Sequence, residues 1–152
     1  MRRTALGAAA SAALALAGWS IVQAVGLQEF DEADTGAAIA AAAEPGDTLV
    51  VFGGRADVQL ASGLSSPYAQ LWSLPMRTLD PDLADLDALV VGADRPTWVV
   101  EWVPFGTWFG ERGDDFERLL ETEYAVHGTG CGGRAIYLLR DVDRATVTPD
   151  CR

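Results

Sequence analysis

The stretch Pro45-Gly46-Asp47-Thr48-Leu49-Val50-Val51-Phe52-Gly53-Gly54-Arg55 decides the fold. A Pro-Gly-Asp turn signal precedes a short apolar run of β-branched and aromatic residues, and two glycines follow it. This pattern is typical of a buried central strand that ends at a loop. In α/β folds, ligands bind outside the carboxyl ends of the strands. The stretch therefore predicts a strand over 49–52 and makes residues 53–55 the first place to look for a ligand.

The residues that follow predict an α/β domain. Asp80 is placed to cap a helix that begins at Pro81 and ends before Gly92, and a second apolar strand is expected over 96–102. Strand, helix and strand at this spacing form a βαβ unit with parallel pairing. An aromatic loop, a helix over 114–124 and a β-hairpin complete the domain, with the hairpin turn at Gly130–Gly133. The sequence thus predicts a small mixed sheet, a βαβ unit plus a C-terminal hairpin, with flanking helices.

The N-terminal segment predicts a membrane anchor. After Met1-Arg2-Arg3, no charged residue occurs up to Gln28, and the run is long enough to span a bilayer as a helix. The two arginines predict a cytoplasmic N-terminus and an extracytoplasmic remainder, hence a single-pass protein of the cell membrane. A cleaved signal sequence is the rival interpretation, because patterns such as Ala13-Leu14-Ala15 suit signal peptidase. The sequence predicts four divisions: an anchor or signal over 1–28, a helical linker over 29–44, an α/β domain over 45–140 and a tail over 141–152.

Composition excludes several classes of partner. The chain has 22 acidic and 11 basic residues and a net charge of −11, and every basic residue is arginine. No basic surface is available to neutralise phosphates, so nucleic acid is not an expected partner. One histidine and two cysteines without zinc spacing predict no metal site, and no motif predicts a cofactor. In an exported domain, Cys131 and Cys151 would form a disulfide; in a cytosolic one they would be free thiols.

Two kinds of residue are candidates for ligand binding. Gly53, Gly54 and Arg55 follow the first strand, and their N–H groups and guanidinium could bind an anion or a sugar phosphate. The alternative is a glycine turn, with Arg55 paired to a nearby acid such as Asp57. Large aromatic residues form the second set, since the run at 105–109 is too apolar for an ordinary loop and predicts an exposed patch. The tentative ligand-binding residues are Gly53, Gly54, Arg55, Tyr68, Trp72 and Trp108.

Other motifs favour a structural interpretation. Gly128–Gly133 fits GxGxxG, but a strand pattern follows it where a dinucleotide site needs a helix. His127 and Cys131 are spaced for a nucleophile pair, yet no acid is placed to orient them. The acidic run Asp80–Asp87 lacks the spacing of a calcium loop and suits a helix cap with a solvated face. No catalytic residue is predicted.

A set of short motifs resembles a known family. Val51-Phe52-Gly53-Gly54-Arg55-Ala56-Asp57, Leu71-Trp72-Ser73-Leu74-Pro75 and Arg77-Thr78-Leu79-Asp80-Pro81 carry the resemblance, and so does Cys131 before Ala135-Ile136-Tyr137-Leu138-Leu139-Arg140. They look like the C-terminal extracytoplasmic domain of actinobacterial GT-C glycosyltransferases of the family 39, protein mannosyltransferase-like kind. Those multi-pass membrane enzymes use polyprenyl-phosphate sugars, and their catalytic acid lies on an early loop that this chain does not match.

The resemblance implies an accessory role. The chain is expected to be a membrane-tethered, non-catalytic module that supports a multi-pass glycosyltransferase or contacts an envelope glycan. A stand-alone ligand-binding or interaction module of the cell envelope is the alternative. A small hydrolase using Asp or Glu side chains, with Glu101 among the candidates, is the third interpretation.

Overall fold

A four-stranded mixed sheet forms the centre of the protein, in a computed structural model that describes residues 2–25 and 30–151. The elements in chain order are α1 (Arg2–Val25), α2 (Asp31–Ala42), β1 (Leu49–Phe52), α3 (Ala56–Ser62), α4 (Ser73–Leu79), α5 (Ala84–Val90), β2 (Trp98–Glu101), α6 (Gly106–Phe109), α7 (Glu111–Glu123), β3 (Tyr124–Gly130) and β4 (Arg134–Leu139). A single 3₁₀ turn, Cys131–Gly133, joins the last two strands.

The strands lie in the order β1-β2-β4-β3. β1 and β2 are parallel, with Leu49 opposite Trp98, and the crossover between them contains α3, α4 and α5. β4 is antiparallel to both of its neighbours, and β3 and β4 form a hairpin. The predicted α/β class is confirmed, and the mixed sheet has the predicted parts, a parallel pair followed by a hairpin.

Both faces of the sheet are buried, which explains why β1 is apolar at every position. On one face, Val50 and Phe52 pack with Phe116 and Leu120 of α7 and with Leu86 of α5. The opposite face packs against α2 and α3. The buried residues of that second cluster are Ile39, Ala42, Leu49, Val51, Val58, Trp98, Val100, Trp102, Ile136, Leu138 and Val147. Successive strand residues alternate between the two clusters, as strand geometry requires.

The prediction of a transmembrane helix is wrong. Across residues 2–25 and 30–151, no helix combines the length and the apolar character needed to cross a bilayer. α1 is helical over 24 residues, but alanine is its commonest residue, and a methyl side chain contributes little transfer free energy. The prediction of a single-pass location at the cell membrane is wrong for the same reason. Residues 1 and 26–28 of the predicted anchor lie outside the described residues, and the cleaved signal sequence stays a prediction.

Three local predictions need correction. Two short helices, α4 and α6, occupy stretches for which no helix was predicted. The third helix of the crossover begins at Ala84 and not at Pro81, because Leu83 adopts a left-handed conformation with φ of 53°. Asp80 still caps that helix, since its carboxylate accepts hydrogen bonds from the N–H groups of Asp85 and Leu86, both at 3.1 Å.

Candidate functional site

The glycines at the end of β1 are required by the close packing of the chain itself. Gly53 and Gly54 have φ of 98° and 66°, which favours glycine. A Cβ on Gly54 would lie 2.1 Å from the backbone nitrogen of Ser73, and one on Gly53 would lie 2.7 Å from the side chain of Val103. The segments that lead into α4 and out of β2 therefore pack directly against this loop. This packing explains why both positions are glycine, and no ligand is needed to explain it.

Arg55 forms an ion pair, though with a partner that the sequence did not indicate. One guanidinium nitrogen lies 3.3 Å from a carboxylate oxygen of Glu32 on α2, and the Arg55 side chain is half exposed. An exposed pair of this kind contributes little to stability. Arg55 is thus accessible to solvent beside β1, but an acid already neutralises much of its charge.

Tyr68 lies inside the fold. It is 5% exposed, and its hydroxyl donates a hydrogen bond of 2.9 Å to Asp80. Burial, and then the neighbouring Asp80 carboxylate, raise the pKa of the Tyr68 hydroxyl well above its ordinary value. The same carboxylate caps α5, so Tyr68 and Asp80 together anchor the crossover. Within the described residues, no group of three or more potential ligands is arranged to hold a metal ion.

The aromatic residues divide between core and surface. Phe105 is buried, with its ring centroid 4.7 Å from that of Phe52. Trp108 is half-buried, and the guanidinium of Arg77 lies 5.5 Å from the centre of its ring. Trp72, in contrast, is 61% exposed at the start of α4. Of the tentative ligand-binding aromatics, Trp72 is therefore the one that presents most of its ring to solvent.

An open cleft lies beside α3, close to the end of β1. Its volume is about 470 Å³, and six residues line it: Ala56, Gln59, Leu60, Gly63, Leu64 and Leu71. We refer to it as the α3 cleft. α3 places Val58 in the core and turns Leu60 outward, so that Leu60 is 84% exposed. The lining is apolar apart from Gln59, and the volume lies in the range of small-molecule sites.

The sequence motifs around the hairpin serve the fold. Gly128–Gly133 spans the end of β3 and the 3₁₀ turn, without the helix that a dinucleotide site needs. Cys131 and Cys151 form a disulfide, so Cys131 has no free thiol. The backbone N–H of Cys131 donates a 2.9 Å hydrogen bond to the hydroxyl of Thr35, which ties the turn to α2.

The remaining carboxylates of interest are engaged within the protein. Burial raises the pKa of Glu101, and the nearby Glu117 raises it further, while the N–H of Phe105 and the charge of Arg134 lower it. That N–H donates a 3.1 Å hydrogen bond to the Glu101 carboxylate at the end of β2. Asp47 is buried and accepts hydrogen bonds from Trp98 and Arg144. Neither carboxylate lines the α3 cleft.

Comparisons with known proteins provide no relative: no family model matches the chain, and neither a curated protein nor a solved structure matches it significantly. The structure brings Arg55 and Trp72 to the neighbourhood of the cleft, since Arg55 precedes Ala56 and Trp72 follows Leu71. It places Tyr68 in the core and Trp108 against Arg77.

Sequence reasoning missed Gln59, Leu60 and Leu64 as surface residues of interest. Leu60 follows Val58 by two positions in a short helix, where two such positions point in different directions. The helix period therefore indicates that only one of these two apolar side chains can face the core, and the structure shows that it is Val58.

Proposed function

We propose that this chain is a non-catalytic binding module that holds its ligand in the α3 cleft. The observation that carries the proposal is Leu60, which is 84% exposed on the rim of a cleft of about 470 Å³. Removing apolar surface from water is worth about 25 cal/mol per Å². An occupant that covers Leu60 and Leu64 gains this free energy without any rearrangement of the core.

The apolar surface continues beyond the cleft. Leu71 on its wall is 39% exposed, and the next residues along the chain include Trp72 at 61% and Leu74 at 68%. Contiguous exposed apolar surface marks interaction sites in soluble domains more often than isolated residues do. Trp72 adds a flat ring next to the cleft, which favours contact with the face of a sugar or of another ring.

Binding is favoured over hydrolysis because the best-placed carboxylates have structural partners. Asp80 caps α5 and binds Tyr68, Asp47 binds Arg144, and Glu101 binds the N–H of Phe105. A general acid or base needs a position within reach of a substrate atom. No described residue that lines the α3 cleft carries a carboxylate, so chemistry in the cleft would have no acid to use among them.

The family resemblance suggests a narrower form of the proposal. In that form the chain accompanies a multi-pass, polyprenyl-phosphate-sugar-dependent glycosyltransferase of the family 39 kind and contacts an envelope glycan. The alternative is a stand-alone ligand-binding or interaction module that uses the same cleft. Co-purification with a transferase of this kind would favour the accessory role, whereas a ligand bound without any such companion would favour the stand-alone module.

The test is a titration of the full chain, labelled with ¹⁵N, against neutral sugars and small amphiphiles. We expect amide shifts confined to Ala56–Leu64 and Leu71–Leu74, and loss of binding in Leu60→Asp. Leu79→Asp is the matched control, because Leu79 is 67% exposed and does not line the cleft. Equal loss of binding in both variants, or shifts that map to another surface, would contradict the proposal.

A further inference from the structure

The side-chain amide of Gln59 forms a hydrogen bond through its nitrogen, whereas its oxygen has no hydrogen-bond partner among the described residues. Its nitrogen donates a 2.6 Å hydrogen bond to the carbonyl of Leu64, which fixes the orientation of the amide between two residues that line the α3 cleft. Its oxygen is shielded from solvent, and no donor among the described residues lies within hydrogen-bonding distance of it. Shielded acceptors are nearly always satisfied in folded proteins, so an unsatisfied one beside a cleft needs a reason.

Gln59 is part of the wall between two neighbouring spaces. Gln59 borders both the cleft and a closed crevice whose other polar lining includes Arg55, Ser66 and Gln70. Leu71 borders the same two spaces and is 39% exposed. The crevice has no room for water in its present form. Leu71 and Gln59 thus both lie where the crevice and the cleft adjoin.

The charges around the cleft select against ionic ligands. No charged residue lines it within the part of the chain that the structure describes, and Arg55, which borders the crevice, pairs with Glu32. The net charge of −11 repels anions such as carboxylates and phosphates. A cation would gain from the overall charge, but it would have no carboxylate to bind inside the apolar lining.

We infer that the α3 cleft takes an uncharged ligand with an apolar chain and one hydrogen-bond donor, a hydroxyl or an amide N–H. The chain lies against Leu60 and Leu64, and the donor bonds the free oxygen of Gln59 after Leu71 moves aside. This inference rests on the proposed function, because it names the ligand class for the same cleft. Such a ligand differs from a phosphate-bearing lipid, whose binding is disfavoured by the negative net charge of the protein.

Three probes with eight-carbon chains separate the contribution of the hydrogen-bond donor from those of the apolar chain and of charge. 1-Octanol has the chain and the donor, methyl octyl ether has the chain without a donor, and octanoate is an anion at neutral pH. We expect 1-octanol to bind the full chain at least tenfold more tightly than the ether or octanoate, by chemical-shift titration of the Ala56–Leu64 amides. Equal affinity for the alcohol and the ether would overturn the inference.

Variants test whether the preference for the alcohol over the ether depends on Gln59. Gln59→Met keeps the side-chain length but removes the acceptor, so the alcohol and the ether should bind it equally. Leu60→Gln, at a position that is 84% exposed and therefore tolerant of change, should weaken both probes alike, whereas the Leu79→Gln control should weaken neither. If Gln59→Met does not fold, the comparison of alcohol, ether and octanoate on the unaltered chain still decides the question.

The inference and the proposed function fail in different ways. If sugars bind at the cleft while the alcohol and the ether bind equally, the binding module stands and the ligand class is wrong. If no probe shifts the cleft amides, both are wrong.

Discussion

The guanidinium of Arg144 binds both carboxylate oxygens of Asp47, with N–O distances of 2.8 and 2.9 Å. The same carboxylate accepts hydrogen bonds from the indole of Trp98 at 3.1 Å and from the N–H of Glu44 at 3.0 Å. A bidentate pair of this kind is stronger than a single contact. It fastens the C-terminal segment to the turn before β1, next to the buried Trp98 of β2.

The Asp47–Arg144 pair predicts a loss of stability in acid. Burial raises the pKa of Asp47, but the hydrogen bonds from Arg144, Glu44 and Trp98 outweigh it and lower the pKa from 3.8 to about 2. A carboxylate with a lowered pKa in the folded state stabilises the fold above pH 4, and this contribution disappears as the pH falls from 4 to 2. Urea unfolding between pH 2 and 7 should show a drop of about 2 kcal/mol over this window.

Asp47→Asn should remove that pH dependence and lower the free energy of unfolding at pH 7. Asp141→Asn is the control, since Asp141 is 63% exposed in its ion pair with Arg95, and it should change stability by no more than about 0.5 kcal/mol. An unchanged acid transition in Asp47→Asn would show that other carboxylates cause it.

The disulfide between Cys131 and Cys151 should stabilise the protein by restricting the unfolded chain. The two cysteines are 20 positions apart, and a loop of that size is worth about 3 kcal/mol in the chain-entropy model. Guanidinium unfolding with and without a dithiol reductant measures the difference. The double variant Cys131→Ser, Cys151→Ser should have the lower stability of the reduced protein whether or not reductant is present, and any effect of reductant on that variant would argue against the disulfide as the cause.

Gly54→Ala should be more destabilising than Gly63→Ala. Both glycines have φ of 66°, so alanine at either position costs the same conformational strain of the left-handed region, about 1 kcal/mol. Only at Gly54 would the new Cβ meet backbone atoms, 2.1 Å from the nitrogen of Ser73, whereas nothing lies within 4 Å at Gly63. Thermal unfolding should give Gly54→Ala an additional loss of about 2 kcal/mol or more, in the range of overpacked sites. Equal losses would mean that the approach of α4 to β1 relaxes freely.

Thr35→Val should destabilise the protein by leaving a backbone donor unsatisfied. Thr35 is buried, and its hydroxyl accepts the N–H of Cys131 at 2.9 Å. Valine has nearly the same shape but no acceptor, which predicts a loss of about 1–3 kcal/mol and faster hydrogen exchange at the Cys131 amide. Thr122→Val is the matched control, because the Thr122 hydroxyl lies on the exposed surface of α7. Similar effects in the two variants would exclude the Thr35 contact as the reason.

The sequence predicted the central strands well because their signals are local. β1 is a short β-branched run between a turn and two glycines, and the structure has it at Leu49–Phe52. The two missed helices carry conflicting local signals. α4 contains Pro75 at its third position, where proline is tolerated but suggests a break, and α6 consists of only Gly106–Phe109. The prediction for α1 was wrong because the uncharged run has the required length, but its many alanines contribute too little transfer free energy.

The candidate site was harder to predict because it depends on contacts between distant segments. Arg55 pairs with Glu32 and not with its neighbour Asp57, since α2 packs against α3 at Gly36, where a Cβ would lie 2.5 Å from the carbonyl of Val58. The cleft itself combines residues of α3 with Leu71, which lies outside that helix. Neither relationship has a counterpart in local propensity, whereas the helix period does indicate that Val58 and Leu60 point in different directions.

The ion pair between Asp47 and Arg144 joins residues 97 positions apart, and the hydrogen bond between Thr35 and Cys131 joins residues 96 positions apart. During synthesis, therefore, α2 and the turn before β1 obtain these partners only after Cys131 and Arg144 have been made. Until α7 and β4 follow, the apolar residues of β1 also lack part of their cover and are exposed to other chains in the nascent polypeptide. Folding should consequently be completed only after Arg144 has left the ribosome, and truncation before Arg144 should produce aggregation in place of a smaller folded domain.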